Sequence, residues 1–199
     1  MIRLKILIMM ALCLNGLMNV VYSADSFFAE VKKIRGVAYV EGKELKIGDR
    51  VGAGKIISAK GKGNFIDIKL SNGAAMRIVG GEFRVSKVSN RMSVYEILMG
   101  KVFSYFKKTS NSQHIIKTKQ AAFAVRGTRF LAEQQEDKSF LCVCEGSVQA
   151  SNDTGKSVIV NAGSEVYISK DDKDFVNNVA IRDMSKLKGV FSDMGYPVE

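Results

Sequence analysis

Few of the side chains able to do chemistry stand where chemistry would need them. The single histidine, His114, supplies neither a triad nor a ligand cluster. Set among alternating residues, it reads as a half-buried strand position rather than a general base. Cys142 and Cys144 stand two apart in a strand-like run, so they share a face. At that spacing in an extended chain they are poorly placed to bond each other, and zinc would want further Cys or His nearby. They read as small core hydrophobes, with a reactive thiol or an intermolecular bridge as the alternative. Asp171, Asp172 and Asp174 gather carboxylates, but without the loop glycine and terminal glutamate of a calcium hand; they read as a solvated linker. Gly52-Ala-Gly54 and Gly61-Lys-Gly63 are glycine-rich, yet no helix pattern follows either, which makes them poor phosphate cradles. The chain has no Gly-x-Ser-x-Gly elbow, complete phosphate-binding loop or His-Glu-x-x-His pair. A hydrolase built from converging carboxylates would leave no local signature, and nothing nominates a pair. The expectation is a non-catalytic protein without cofactor or metal.

The stretch that organises the chain is Ala121-Ala-Phe-Ala-Val-Arg-Gly-Thr-Arg-Phe130. Phe123 and Val125 alternate with small residues, as in a strand with one packed face. Arg126-Gly127 breaks the pattern, and Gly127 tolerates a positive φ or a tight corner. Thr128 and Phe130 resume the alternation. A buried corner needs its polar groups satisfied, and the Arg126 guanidinium carries several donors in a fixed fork. The expectation is that Arg126 ties the corner to backbone carbonyls or a carboxylate. A solvated arginine beside a loop glycine is the alternative.

These residues also carry a resemblance. Lys119-Gln-Ala-Ala-Phe-Ala-Val-Arg-Gly-Thr-Arg-Phe130 resembles the signature of FecR-like domains, with Val125, Arg126, Gly127, Thr128 and Phe130 as its core. Leu70-Ser-Asn-Gly-Ala-Ala-Met-Arg-Ile78, Leu98-Met-Gly-Lys-Val-Phe103, Val143-Cys-Glu-Gly-Ser-Val-Gln149 and Val158-Ile-Val-Asn-Ala-Gly163 are similar to its flanking segments. The similarity runs from Arg35 to Ser169. It implies an all-β bacterial envelope module, a class best known as the periplasmic part of regulators of iron-uptake sigma factors. Regulatory members carry a cytoplasmic sigma-factor-binding segment and a transmembrane helix ahead of this domain, whereas the sequence ahead of it here reads as a targeting segment.

Around the motif, residues 25–169 form short alternating runs broken by Gly, Asn and Asp. Phe65 to Leu70 alternates well, and Ser71-Asn-Gly73 predicts a hairpin to Ala74–Ile78, since Asn-Gly suits a tight turn matched to strand twist. Glu82–Val88 and Met92–Leu98 predict a second hairpin, and Gly100 a turn into Val102–Phe106. Many short strands at regular spacing indicate an all-β fold, a compact sandwich or an irregular β-solenoid. After a charged linker at 170–184, Ser185 is expected to cap a short C-terminal helix, with Leu187, Val190, Phe191 and Met194 on one apolar face. Gly195 and Pro197 would end it. That face either packs on the β-domain or docks a partner. Lys107 and Lys108 open the most loop-like internal segment, Lys107–Gln113, and are the candidates for a basic partner-binding loop.

The first 24 residues read as a secretory signal peptide. Arg3 and Lys5 precede an apolar run from Ile6 to Met18, with small residues at Ser23 and Ala24. The run is short for a membrane span of about 20 residues. Removing Arg3 and Lys5 lowers the formal charge from +10 to +8. An exported, basic chain of 199 residues, with 46% hydrophobic and 25% charged side chains, is a folded domain attracted to anionic partners. Nucleic acid is disfavoured, because the aromatics fall at core positions rather than among basic residues on one sheet face. The expected partner is an envelope protein in signalling or scaffolding, or an anionic cell-wall or outer-membrane glycan.

Overall fold

Alternating apolar residues build the strands, and glycines decide where they bend. The computed structural model describes residues 28–89, 91–108, 112–169 and 179–198. Among them the chain forms sixteen strands and one helix. The strands are β1 (Phe28–Arg35), β2 (Tyr39–Val40), β3 (Lys43–Glu44), β4 (Arg50–Gly52), β5 (Ile56–Ser58), β6 (Phe65–Leu70), β7 (Ala75–Val88), β8 (Met92–Tyr105), β9 (Gln113–Lys117), β10 (Ala121–Val125), β11 (Arg129–Gln134), β12 (Lys138–Glu145), β13 (Ser147–Asn152), β14 (Ser157–Asn161), β15 (Ser164–Ser169) and β16 (Val179–Ala180). The helix α1 spans Met184–Asp193. The predicted signal peptide and Asp171, Asp172 and Asp174 lie outside the described residues.

All the strands join one mixed sheet, and two long strands fold it into layers. The first half of β7, Ala75–Val79, pairs with β6 and with the second half of β8. Its second half, Glu82–Val88, lies between β5 and the first half of β8. β8 likewise pairs with β9 through Met92–Glu96 and with β11 through Gly100–Tyr105. One layer therefore runs β14-β13-β10-β9-β8-β7-β5-β2-β3, and the other β16-β15-β12-β11-β8-β7-β6-β1-β4. Phe83, Phe123, Val148 and Val160 from the first share a single buried cluster with Ile66, Phe130, Leu141 and Ile168 from the second. The arrangement is of the sandwich kind, made from one continuous sheet.

Gly100 is not the turn its sequence suggests. It sits inside β8, opposite Gly80-Gly81 in β7, where the pairing register slips between Val79 and Glu82. A Cβ on Gly81 would lie 1.9 Å from the Met99 carbonyl oxygen, and one on Gly100 would lie 2.7 Å from the Gly81 Cα. Two backbones in contact at a bulge leave room for hydrogen alone. The strands predicted on either side of Gly80-Gly81 and of Gly100 are thus each one fourteen-residue strand passing between layers. The 71–73 hairpin forms as predicted between β6 and β7: the Asn72 side chain accepts from the Ala74 amide at 3.2 Å and donates to the Tyr95 hydroxyl at 2.8 Å.

A second difference is the pairing of β8 with β9, which is parallel while every other described pair is antiparallel. Sequence alternation sets which face of a strand is buried but carries no record of the neighbour's direction. At the C-terminal end, part of the predicted linker is ordered: β16 pairs with β15, and α1 starts one residue before Ser185.

Candidate functional site

The corner around Gly127 is where β10 leaves one layer and β11 enters the other. Gly127 takes φ +66°, and a Cβ there would fall 2.5 Å from the Lys108 Cβ and 2.9 Å from its Cα. The missing side chain lets the segment after β8 cross the corner, where the Phe106 amide donates to the Thr128 carbonyl at 3.0 Å. Gly146, between β12 and β13, stacks beside it; a Cβ there would lie 2.8 Å from the Thr128 Cγ2 and 2.9 Å from the Gly127 carbonyl oxygen. Val125, Thr128 and Phe130 are buried. Arg126 is exposed on the outer side of the corner. The backbone and the two glycines make the corner, and the arginine points to its outer side.

On that outer side lies a groove of about 850 Å³. Arg91, Lys108 and Arg126 bring three cations to it, and Gln113, Ser147 and Gln149 add amides and a hydroxyl. The described lining contains no carboxylate, and Ile159, 60% exposed, supplies an apolar patch. Of the two lysines predicted for a partner-binding loop, Lys108 lines this groove; Lys107 is exposed outside it. Arg91, Gln113 and Gln149 escaped the sequence reading because they come from the residue before β8, from β9 and from β13, which only the fold brings together.

His114 sits under this region, 6% exposed. Its ring lies 4.6 Å from Phe106 and 6.2 Å from Tyr95, its Nε2 approaches Ser112 Oγ at 3.4 Å, and its Nδ1 is buried with no hydrogen-bond partner. Burial pushes its pKa below the ordinary histidine value of 6.5. A neutral ring stacked on aromatics, with no acid to orient it, is a core residue.

The opposite outer face is covered by α1. Phe191 is fully buried and meets Phe103 edge-on at 5.9 Å. With Leu187, Val190 and Met194 it covers Leu131, Cys142 and Cys144. The apolar face read as either packed at home or docked on a partner is packed at home. Its cap is Asp183 rather than Ser185: the Asp183 carboxylate accepts from the Lys186 amide and from the Ser185 hydroxyl, both at 3.1 Å. A carboxylate is at least as good a cap as a hydroxyl and also faces the positive end of the helix dipole. At the other end, Asp193 accepts from Arg77 at 2.7 Å and from Lys33 at 2.9 Å. Hydrogen bonds from Lys33 and then Arg77 hold its carboxyl below the usual range. Arg77, 5% exposed, also makes a two-pronged bond to Asp67 at 2.6 and 2.7 Å and lies 4.1 Å from the Phe65 ring centroid. Burial works against its charge, but the bonds to Asp67 and Asp193 outweigh it and raise its pKa.

The model of the FecR protein family matches residues 57–149, from β5 to the middle of β13, with the Gly127 corner inside. Residues 57–149 form a FecR domain. Two solved structures share the fold of the chain that carries it. Both are crystal structures of a protein from Parabacteroides distasonis ATCC 8503 provisionally assigned as an anti-sigma factor. The first is 15% identical, with a TM-score of 0.57, over 66% of this chain and 64% of that one. The second is 16% identical, with a TM-score of 0.58, over 71% and 73%. The chain thus spans just under two thirds of the first relative's length, and at such identities the likeness is one of fold. No curated protein matches. The groove cations Lys108 and Arg126 lie within the FecR domain, whereas α1 lies outside it. No described helix is long and apolar enough to cross a membrane.

Proposed function

We propose that this protein is a non-catalytic binding module of the bacterial envelope, whose FecR domain engages a protein partner in signalling or scaffolding. The observation that carries the reading is the FecR match over residues 57–149, with the basic groove set against its corner motif. Arg91, Lys108 and Arg126 present positive charge on the rim of a shallow surface with Ile159 as an apolar anchor. Such a surface suits an acidic segment of a partner, charge guiding the encounter and apolar contact supplying lasting affinity. The basic leader supports export, and α1, spent on its own sheet, leaves the groove as the main candidate contact.

The same groove favours a second reading. Cations interspersed with amides and a hydroxyl match the carboxylates or phosphates and the hydroxyls of an anionic glycan. Cross-linking of the tagged protein in its own cells, followed by mass spectrometry, tests the first reading. Capture of a specific envelope protein, lost when Arg91, Lys108 and Arg126 are changed to glutamate, is the expected result. Recovery of wall or lipid glycan without protein, through contacts that weaken steeply with ionic strength, overturns it in favour of the second. Capture of the same protein by the triple variant places the contact elsewhere on the domain.

A further inference from the structure

β15 carries a buried acid that the fold leaves without a hydrogen bond. Val166 and Ile168 belong to the main core, so alternation turns Glu165 to the opposite face, where it pairs with Cys142 of β12 under α1. Glu165 is 7% exposed. Among the described residues its one ionic contact is Arg182, whose Nε stands 4.0 Å from Oε1, beyond hydrogen-bond reach. The Arg182 side chain is itself 85% exposed. A buried carboxylate whose oxygens accept nothing is costly, and a guest that donates to it removes that cost.

The room for a guest lies beside it. A cavity of about 260 Å³ opens between α1 and the sheet, with Glu165 in its lining. Phe103, Leu131, Phe140, Leu187 and Val190 give it apolar walls. Lys101, Arg182 and Lys186 line it with exposed side chains. Lys101 already faces Glu133 at 3.6 Å, and Asp183 is engaged as the helix cap. Glu165 is thus the acid offered to a guest, and Arg182 and Lys186 are the bases.

We propose that this cavity binds a small zwitterion with an apolar side chain, the chemical class of the aromatic and branched amino acids. The guest's ammonium donates to Glu165, a charge-assisted bond inside an apolar site. Its carboxylate accepts from the Arg182 fork and from Lys186, and its side chain lies among Phe103, Leu131 and Leu187. An amine alone would meet the two cations unpaired, and an acid alone would be set against Glu165; both charges together satisfy the lining. A dry cavity of about 150 Å³ accepts benzene, so one of about 260 Å³ has room for a ring and an amino-acid backbone. A few convergent polar groups on apolar walls are the usual make-up of a small-molecule site.

The test is a titration of the full chain with L-phenylalanine, followed by amide chemical shifts in heteronuclear NMR. Saturable shifts centred on β12, β15 and α1 are expected, with a Kd of about 1 mM or tighter, which a molecule of this size reaches at ordinary binding efficiency. L-Leucine should compete. L-Serine lacks the apolar arm, and 3-phenylpropionate and phenethylamine each lack one charge; all three should bind at least about 10-fold more weakly. Glu165→Gln should weaken phenylalanine binding by about 10- to 100-fold, and Arg182→Gln, at an exposed side chain, by about 2- to 5-fold. Thermal unfolding checks the variants; if Glu165→Gln does not fold, Glu165→Asp, which withdraws the carboxylate by one methylene, takes its place. Equal affinity in wild type and the Glu165 variant would overturn the proposal. So would a single-charge analogue binding as tightly as phenylalanine, shifts centred on the Arg126 groove, or no saturation by about 10 mM, tenfold above the expected limit.

Discussion

Phe191→Ala asks what α1 does for the domain. Phe191 is the one fully buried side chain of the helix, and it packs on Phe103, Leu131, Cys142 and Cys144. Removing a buried phenylalanine ring costs about 3–5 kcal/mol where the site cannot collapse. The main core lies on the other face of the β8–β11–β12 layer and shares no buried residue with this cluster. The cost should therefore fall on helix docking rather than on the whole fold, because weakly tethered elements open below the global unfolding free energy. The two thiols report on it. At about 1.4 kcal/mol per tenfold, a loss of 3 kcal/mol or more in docking should speed labelling of Cys142 and Cys144 by a disulfide reagent by more than about 100-fold. Strand circular dichroism and the main melting transition should move little. A variant that labels as slowly as wild type would show that Phe191 does not hold the lid. Labelling that accelerates only in step with a large drop in the main melting temperature would show that α1 is part of the core.

Three further outcomes follow from the same packing. Gly127→Ala should destabilise the domain by about 2–3 kcal/mol in urea unfolding, combining a left-handed φ with a clash on Lys108. Gly155→Ala, at φ +87° with nothing within 4 Å, should cost only the conformational part; equal losses would refute the crossing argument. Arg77→Met should cost about 3–5 kcal/mol by stranding the buried Asp67 carboxylate, while Asp193→Asn, at a carboxylate half in water, should change global stability little; the reverse order would sink that account. For His114 the folded pKa lies below the unfolded 6.5, so the unfolded chain binds the proton first. Stability should fall as pH drops below about 6.5, by up to about 1.4 kcal/mol per pH unit, and His114→Leu should flatten that slope. The lowered carboxyls of Glu96 and Asp193 lose their contribution only at more acid pH, so the two effects separate along the titration.

Much of the fold was legible in the sequence. Phe65 to Leu70, the Asn72-Gly73 turn and the break at Gly127 follow from periodicity and turn chemistry, which are local. What was not legible depends on partners distant in sequence. Gly100 looks like a turn until Gly81 is placed against it, and the direction of β9 beside β8 leaves no mark on either strand. The helix face was readable and its cap was not, since Asp183 and Ser185 are both good caps and only the start of the helix decides between them. At the motif, the break at Gly127 was legible because a positive φ and the close approach of Lys108 demand a glycine there, whereas the exposure of Arg126 depends on how the layers meet. The groove was half visible, through Lys108, because a concave site gathers residues that no window of sequence contains.

Three of the four strands that end the layers, β3, β4 and β16, are only two or three residues long. A broad sheet with long, flat margins would offer ladders of open amides and carbonyls for another molecule to extend. Margins this brief give a neighbouring strand too few hydrogen bonds to hold its register. These three margins are thereby poor templates for polymerisation, and lengthening β3 or β16 by a few alternating residues would be a direct way to make the protein assemble into fibres.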